Sequence, residues 1–309
     1  MFHDFPKIGT PASKRTLWVW SHESRAWDPA AERHHTVPIG APFLYLLRMR
    51  RAAPGLDSGQ ARPLIAPQHT TFLRGAVSNV ADLAASYRER FGPSTVCLHG
   101  DDVVVASTVA AWRQAGHEVV TAGNRFDPQG LNRQLTGLLA ASRLVTDRLS
   151  TFVFYALAAG IPVTITGQTT LLEGDSAVSV DSLRERWPEI HDESVPLAEQ
   201  RALALSELGE ASMLDSSDLV AALGWDSRGP AVAAGLDYWA LSPVRKAAMV
   251  LGITQRTDFG ENAHATGQAV ERPHQAASFL KHPLSHLPSR LPALPDFSAP
   301  TPWLRPHDL

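Results

Sequence analysis

Strand-like and helix-like segments alternate through the middle of this chain, between Pro63 and Gly167. Five short apolar runs suit buried strands and read, in order, RPLIAP, TVCLHG, HEVVTAG, RLVTD and PVTITG. Longer segments rich in Ala, Leu and Arg separate them, and three of these helical segments end at a glycine (Gly92, Gly116 and Gly160). Strands separated by helices predict an α/β fold with a Rossmann-like parallel sheet flanked by helices.

Small or polar residues follow these predicted strands. They form the groups Gly100-Asp101-Asp102, Gly123-Asn124-Arg125 and Asp147-Arg148. The carboxyl ends of parallel strands lie at one edge of a sheet, which is where open α/β sheets bind their ligands. The sequence therefore predicts a ligand site along this edge.

The length of 309 residues suits two modest domains or one domain with a long appendage. We predict a partial N-terminal α/β region over 1–61 and a Rossmann-like nucleotide-sugar-binding domain over 62–225. Residues 226–309 are predicted to be helical at first and then a poorly ordered tail. Proline recurs there with little periodicity from Arg272 onward, and such segments lack an apolar face to offset the entropy of ordering.

Composition narrows the class of protein. Apolar residues make up 44% of the chain, which is enough for an ordinary core, and the net charge of −3 gives no broad reason to bind nucleic acid or an anionic membrane. The single cysteine, Cys97, lies in an apolar run and is predicted to pack as a small hydrophobe in a reducing cytoplasm. No signal peptide is visible, and the longest apolar stretch, Phe152–Ile165, is too short to span a membrane. Any membrane association would be peripheral, at the inner face.

The turn between the fourth strand and the next helix concentrates polar side chains. In LVTDRLSTFVFYALAAGIPVTITG it holds Asp147, Arg148, Ser150 and Thr151. The start of a helix offers unpaired N–H groups and the positive end of the helix dipole, which attract phosphate. Ser150 and Thr151 are equally typical N-cap residues. Arg148 either binds a diphosphate with two hydrogen bonds or pairs with Asp147.

A second polar cluster, TAGNRFD, follows the third strand. It places Asn124 and Arg125 at the same predicted sheet edge as Arg148, so Arg125 is a candidate for contact with an anionic ligand or for a surface ion pair. Asp127, which precedes Pro128, suits the N-cap of the following helix. Neither a dinucleotide-binding glycine pattern nor a Walker-type GK[ST] occurs, so NAD and P-loop chemistry lack support.

Three further segments supply candidates for a cleft. His69, in APQHTTF, is a candidate acid/base or phosphate donor, although a lone histidine is more often structural. His22 and Glu23, in WSHES, suit a general base with its orienting partner, or solvated charge near Arg25. Gly40, in IGAPFLYL, permits a tight backbone approach, and contact of its N–H with a ligand is a secondary interpretation.

The sequence predicts neither a metal site nor a cofactor. Five of the 13 histidines lie late in the chain with irregular spacing among prolines (His264, His274, His282, His286 and His307). No Gly-x-Ser-x-Gly elbow or Cys/His pairing indicates a hydrolase.

Several of these motifs together resemble a bacterial family of GT-B-like glycosyltransferases associated with capsule and surface-polysaccharide biosynthesis. The resemblance covers about residues 1–225 and is carried by VPIGAPFLYL, LIAPQHTT, VCLHGDD, AGNRFD, TDRLSTFVFYALAAGIPVTITG and the closing LGW. The last long motif is also similar in layout to the nucleotide-binding end of UDP-N-acetylglucosamine 2-epimerases, where a strand, a small polar turn and a helix hold a nucleotide diphosphate.

The resemblance implies a GT-B-like fold that holds a nucleotide-sugar donor, while a glycan or lipid-linked acceptor approaches from the N-terminal side. The residues that would bind the donor diphosphate by position are Arg125, Arg148, Ser150 and Thr151. His69 would line the cleft, and Glu173, in TTLLEGD, is a candidate for a ribose hydroxyl or a base. No metal is implied, since Arg side chains and the helix dipole stabilise the departing diphosphate.

Two features depart from the family pattern. Its members have another strand and helix before the WVWS region, so the N-terminal part here is expected to be cut short. The turn reads Asp147-Arg148 where Asn followed by a small residue is more typical. A carboxylate beside a diphosphate is repulsive unless Arg148 screens it.

Two functions remain open at this point. The first is transfer of a sugar from a nucleotide-activated donor to a surface polysaccharide precursor. The second is non-catalytic binding of a nucleotide sugar or a protein partner, as an accessory protein of the same pathway. A sugar-nucleotide epimerase is a weaker third function, because it requires several carboxylates in the cleft. The sequence does not indicate the sugar, the acceptor or the oligomeric state.

Overall fold

A computed structural model of the chain describes residues 17–26, 36–52, 62–68, 76–77, 79–123, 127–166, 171–172, 177–226 and 295–308. The strands within these residues are β1 (Leu17–Val19), β2 (Thr36–Pro38), β3 (Arg62–Ile65), β4 (Ala76–Val77), β5 (Thr95–Leu98), β6 (Glu118–Thr121), β7 (Ala141–Thr146), β8 (Val163–Ile165) and β9 (Leu171–Leu172). The α-helices are α1 (Pro42–Ala52), α2 (Val80–Phe91), α3 (Gly100–Val103), α4 (Ala106–Gln114), α5 (Gly130–Leu139), α6 (Thr151–Ala159), α7 (Ala177–Arg186), α8 (Pro188–His191), α9 (Leu197–Glu207) and α10 (Ser216–Ala222).

Five strands form one parallel sheet in the spatial order β6-β5-β3-β7-β8. In chain order these are the third, second, first, fourth and fifth strands of the sheet, which is the order of a doubly wound Rossmann-like sheet. The predicted α/β fold, with a parallel sheet flanked by helices, is confirmed. Two short pairs, parallel β1-β2 and antiparallel β4-β9, lie outside this sheet.

Helices cover both faces of the sheet. On one face α2 and α4 pack together, and the rings of Tyr87 and Trp112 stack with centroids 6.1 Å apart. On the other face α5 and α6 pack together, and α1 contacts both of them. This change of face between the two halves of the sheet is expected from the strand order, since the chain leaves β3 and β7 in opposite directions.

Helix α6 is buried around its whole circumference. Six consecutive residues, Val153–Ala158, are buried, so other elements have to cover this helix on every side. Phe43 of α1 stacks on Tyr155 with ring centroids 4.1 Å apart, and Trp187 meets Phe154 edge to face at 5.6 Å. Helix α9 packs along α6 as well.

The chain segments after β2 and after α9 meet through their backbones. The N–H of Ala41 donates to the Leu208 carbonyl at 2.8 Å. Gly209 has a φ of +76°, and a Cβ atom at this position would lie 1.9 Å from the Trp20 carbonyl oxygen. Only glycine fits here, because a side chain would have to displace backbone. The sequence TLWVWS is typical of a strand, and HTVPIGAPFLYLLRM is typical of a strand, a Gly-Ala-Pro turn and a short helix; the structure confirms them as β1, β2 and α1.

Other predicted elements differ in detail. The segment DVVVASTVAAWRQAG, over 102–116, is typical of a single helix. The structure has two helices instead, α3 and α4, separated by Val104 and Val105, which are 70% and 44% exposed. A run of β-branched residues disfavours helix, and His99 starts α3 early by accepting the Asp101 N–H at 3.2 Å through its Nδ1. The helix predicted in SPVRKAAMVLGI, over 242–253, and most of the loop predicted in RRAAPGLDSGQARP lie outside the described residues.

Cys97 packs against the apolar core as predicted, and burial raises the pKa of its thiol to about 12. Among the described helices, none combines the length and apolarity needed to cross a membrane.

Residues 295–308 dock on β6 and α5, although we expected the end of the chain, where proline recurs from Arg272 onward, to be a poorly ordered tail. Thr121 at the end of β6 exchanges two backbone hydrogen bonds with Leu304, at 2.9 and 3.1 Å. The buried Asn132 side chain donates to the Ala299 carbonyl at 3.0 Å and to Thr301 Oγ1 at 2.8 Å. Sequence periodicity did not reveal this docking because single side chains and backbone groups make the contacts, not an amphipathic face.

A buried carboxylate joins the N-terminal region to the helices that cover α6. Glu207 is 2% exposed, and its Oε2 accepts the Ser24 hydroxyl at 2.6 Å. Its Oε1 accepts the Arg25 N–H at 3.1 Å and the Trp187 indole N–H at 2.8 Å. One side chain thus satisfies three donors from two distant parts of the chain.

We predict that Glu207→Ala lowers the free energy of unfolding by about 2–5 kcal/mol, because it leaves buried donors without an acceptor. Glu207→Gln keeps one acceptor oxygen and should lose less. Urea denaturation measures both variants against Glu199→Ala, which removes an exposed carboxylate from the same helix. Equal stability of Glu207→Ala and Glu199→Ala would contradict the structural role.

We predict that Gly137→Ala destabilises the protein, although Ala is favoured over Gly inside a helix by about 1 kcal/mol. A Cβ atom at Gly137 would lie 1.9 Å from Trp303 Cζ2, so the indole has to leave its position on α5. In a Trp303→Ala background the same change should become neutral or stabilising. Chemical denaturation of the four proteins in this double-mutant cycle measures the coupling, and additive effects would contradict the docking.

Candidate functional site

The candidate site lies where the strand order of the sheet changes direction, at the carboxyl ends of β3 and β7. The Asp147 carboxyl group, 1% exposed, follows β7, and its Oδ1 accepts the backbone N–H of Gln68, which follows β3, at 2.7 Å. This hydrogen bond connects the two loops that border the crevice in doubly wound sheets. The sequence pattern predicted a ligand site at this turn, and the hydrogen bond to Gln68 shows that the loop after β3 borders the same corner.

Helix α6 begins in this corner. Ser150 occupies the N-cap position with extended backbone (φ −144°, ψ 171°), yet its hydroxyl makes no capping hydrogen bond. The carbonyl of Ser150 accepts the Val153 N–H at 3.1 Å, so the first helical hydrogen bond is formed by backbone. Ser150 therefore does not perform the capping role that was the alternative to ligand binding, and Thr151, the first helical residue, lies next to it.

A small cavity of about 80 Å³ opens beside this turn. We call it the α7 cavity. The residues that line it are Asp147, Arg148, Leu149, Ile165, Asp181, Leu183, Arg184 and His191. Three elements thus contribute: the turn after β7, the end of β8, and the segment of α7 and α8. The volume is well below the 300–1,000 Å³ of pockets that enclose a whole small-molecule ligand, so the α7 cavity can take only one chemical group of a larger ligand.

His191 lines this cavity and also carries a buried polar atom. Its Nε2 is buried and has no hydrogen-bond partner among the described residues. Burial, and secondly the nearby charge of Arg184, lower the pKa of the imidazole. The ring is therefore neutral at neutral pH, and a buried polar atom without a partner costs about 1–3 kcal/mol.

The elements on the far side of the crevice are tied to the end of β8. The Tyr87 hydroxyl of α2 donates to the Thr166 carbonyl at 2.9 Å, and Arg90 donates to the Thr166 hydroxyl. Burial, and secondly the charge of Asp147, raise the pKa of the Tyr87 hydroxyl. Tyr87 is therefore a neutral donor, and the Asp147 carboxylate lies close enough to influence it.

Two predicted site residues lie elsewhere. Glu23 is exposed and does not line the α7 cavity, and its neighbour Arg25 makes a two-pronged ion pair with Glu189, with both N···O distances 2.9 Å. Gly40 is buried and its N–H donates to the Trp20 carbonyl at 3.0 Å. Because that N–H is engaged inside the protein, the architectural interpretation of Gly40 replaces the idea of ligand contact.

Several other predicted residues lie outside the part of the chain that the structure describes, namely His69, Asn124, Arg125 and Glu173. Asp127 is the next described residue along the chain. One oxygen of Asp127 accepts the Gln129 N–H at 2.8 Å, and the other pairs with Arg133 at 2.6 Å. The sequence predicted Asp127 as the N-cap residue of this helix. In the structure the N-cap residue is Gln129, two residues later, and Asp127 instead stabilises the turn that precedes α5.

The sequence analysis missed Arg184 and His191. They lie in SLRERWPEIHDES, where charged residues dominate and neither a strand-end pattern nor a known motif marks them. The only cue in this part of the sequence was Pro188, a residue that is typical of the start of a helix. Pro188 begins α8, and His191 at the end of α8 lines the same cavity as Arg148.

The described residues contain no group of three or more His, Cys, Asp or Glu side chains arranged to hold a metal ion. Comparison with known proteins found no matching family model, no similar curated protein and no similar solved structure.

Proposed function

We propose that the protein is a GT-B-like glycosyltransferase that transfers a sugar from a nucleotide-activated donor to a surface polysaccharide precursor. The observation that carries this proposal is the corner formed by Arg148 and the start of α6 at the point where the strand order reverses. Doubly wound sheets bind nucleotides at this point. The motif resemblance over residues 1–225 supports the choice of a nucleotide sugar among such ligands.

Phosphate fits the electrostatics of this corner. The N-terminus of α6 carries the positive end of the helix dipole. At the opposite end of α6 the guanidinium groups of Arg51 and Arg201 donate to the carbonyls of Ala158 and Ala159 at 3.2–3.4 Å. Those cations occupy the negative end of the dipole, and the corner at the positive end is suited to an anion.

The proposed reaction needs only side-chain and dipole chemistry. The oxygen of an acceptor hydroxyl attacks the anomeric carbon of the donor, and the bond from that carbon to the phosphate oxygen breaks. A base takes the hydroxyl proton, and the nucleoside diphosphate leaves with the electron pair. Arg148 and the start of α6 would stabilise the negative charge that develops on the leaving diphosphate. His69 remains the proposed base.

Binding without catalysis is the second candidate function. The exposed position of Glu23, away from the α7 cavity, favours it, because one of the two predicted catalytic residues does not meet the proposed donor corner. Release of nucleoside diphosphate from a nucleotide sugar, in the presence of lipid-linked or glycan acceptors, separates the two functions. An accessory protein would bind the nucleotide sugar and leave it intact.

We predict that UDP, GDP or CDP sugars raise the melting temperature and that Arg148→Ala weakens binding of the best ligand about 10- to 100-fold. This is the loss expected when a charge-assisted hydrogen bond worth about 1.5–3 kcal/mol is removed. Thermal-shift titration and calorimetry measure it. The matched control is Arg113→Ala, which removes an exposed arginine from α4, on the other face of the sheet.

The proposal fails if no nucleotide sugar or nucleoside diphosphate binds the wild-type protein. It also fails if Arg148→Ala and Arg113→Ala bind with the same affinity as the wild type, since the diphosphate would then lie somewhere other than this corner.

A further inference from the structure

The C-terminal segment 295–308 lies in a groove between β6 and α5, which we call the α5 groove. β6 is the edge strand of the described sheet, so the free side of its backbone is open to a further strand. Leu304 takes this position as an antiparallel partner of Thr121. The residues of the groove that contact the segment are Thr121, Gln129, Asn132, Thr136 and Gly137. The segment is therefore bound in the way that extended peptides add to the edge of a sheet.

The part of α5 that meets the segment is polar or small. Asn132, Thr136 and Gly137 all contact the segment, and none of these residue types is favoured in the interior of a helix. The apolar residues Leu135 and Leu138 of the same helix are buried in the main core. The core thus holds α5 on the sheet, while the groove side of the helix offers hydrogen-bonding groups and a space for an indole ring.

Thr301 makes the most specific contacts in the groove. Its N–H donates to the Thr136 hydroxyl at 3.2 Å, and its own hydroxyl donates to Gln129 Oε1 at 3.1 Å. The Asn132 side chain donates to Thr301 Oγ1 at 2.8 Å and to the Ala299 carbonyl at 3.0 Å. Any chain that carries the sequence Ala-Pro-Thr-Pro-Trp-Leu of residues 299–304 can supply these groups.

Docking of the segment leaves two buried polar atoms poorly satisfied. Arg50 Nε and Asn132 Oδ1 have no hydrogen-bond partner among the described residues. Arg50 is 3% exposed, and it contacts the segment through a long hydrogen bond of 3.5 Å to the Ser298 carbonyl. Water would hydrate both atoms once the segment left, so the cost of burying them cancels part of the gain from docking. The contacts are specific, but their net contribution is small enough to permit release.

We propose that the α5 groove is an exchangeable docking site, for which residues 295–308 of the same chain and of a second copy compete. The second copy is the partner because its segment is the peptide whose fit to the groove the structure shows. The segment is connected to the rest of the described chain through residues 227–294, so it can leave the groove as one unit. Neither the groove nor its occupant takes part in the proposed sugar transfer.

Protein concentration decides which segment occupies the groove. The contact within one chain is favoured in dilute solution, because the segment and the groove share that chain. At high concentration two copies can exchange segments, which gives a symmetric dimer in which each groove holds the segment of the other copy.

A fluorescent peptide of residues 295–309, added to the full chain, tests the groove. We expect it to bind Trp303→Ala at least about tenfold more tightly than the wild type, because the weakened internal segment leaves the groove free for more of the time. Adding Gly137→Ala to Trp303→Ala fills the space of the indole and should abolish binding. This double variant is expected to fold, since Ala is favoured over Gly in a helix. Adding Asn132→Ala to Trp303→Ala should weaken binding, and the peptide that carries Trp303→Ala is the matched control.

A mixture of two full-chain variants tests exchange between copies. Trp303→Ala keeps the groove and weakens the segment, whereas Gly137→Ala keeps the segment and fills the groove. Sedimentation velocity at high protein concentration should show a dimer in the mixture and monomers in each variant alone. The matched control mixes Trp303→Ala with the double variant, which offers no intact segment.

Each alternative result contradicts a stated part of the proposal. Failure of the peptide to bind a folded Trp303→Ala protein would show that the groove is not exchangeable. Failure of Trp303→Ala to fold, judged by circular dichroism and thermal melting, would make the segment part of the core and would also overturn the proposal. Equal binding to Trp303→Ala and to the double variant would place the peptide outside the groove. Peptide binding without a dimer in the mixture would exclude the second copy as the partner.

Discussion

Burial of α6 on every side is the constraint on which the rest of the structure depends. A helix with no polar face cannot lie on the surface of a sheet, so further elements must cover the sides that the sheet leaves exposed. The N-terminal region supplies α1 with Phe43, and the region after β8 supplies Trp187 and α9. This requirement explains why distant parts of the chain are joined by polar contacts, of which Glu207 is the best satisfied.

The same packing connects structure to the proposed function. Because α6 is enclosed, its axis and both of its ends are fixed relative to the sheet. Arg51 and Arg201 donate to the carbonyls at its C-terminal end, while its N-terminal end emerges beside Asp147 and Arg148 where the strand order reverses. The elements that cover α6 also carry α8, and with it His191, to the same corner. The same elements therefore cover the apolar helix α6 and form part of the candidate site.

Local pattern predicted the strands and helices of the sheet well, since each strand is a short apolar run that ends in glycine or polar residues. It did not predict which strands are neighbours, because strand order is set by packing between segments distant in sequence. For that reason the tie between Asp147 and Gln68 was not foreseen. Arg184 and His191 were missed for a similar reason: they lie in a charged segment whose position depends on Trp187 entering the core.

A phosphate bound at the proposed corner would lie beside the buried Asp147 carboxylate, so cations would have to offset the repulsion between the two charges. Two like charges about 4 Å apart repel by about 4 kcal/mol at an effective dielectric constant of about 20. One charge-assisted hydrogen bond contributes about 1.5–3 kcal/mol, so Arg148 alone falls short of offsetting a phosphate beside Asp147, whereas two arginines reach about 3–6 kcal/mol. Arg184 lines the same cavity as Asp147 and Arg148. In the proposed site, a second guanidinium group would allow the carboxylate to hold the two loops together without excluding an anion from the corner.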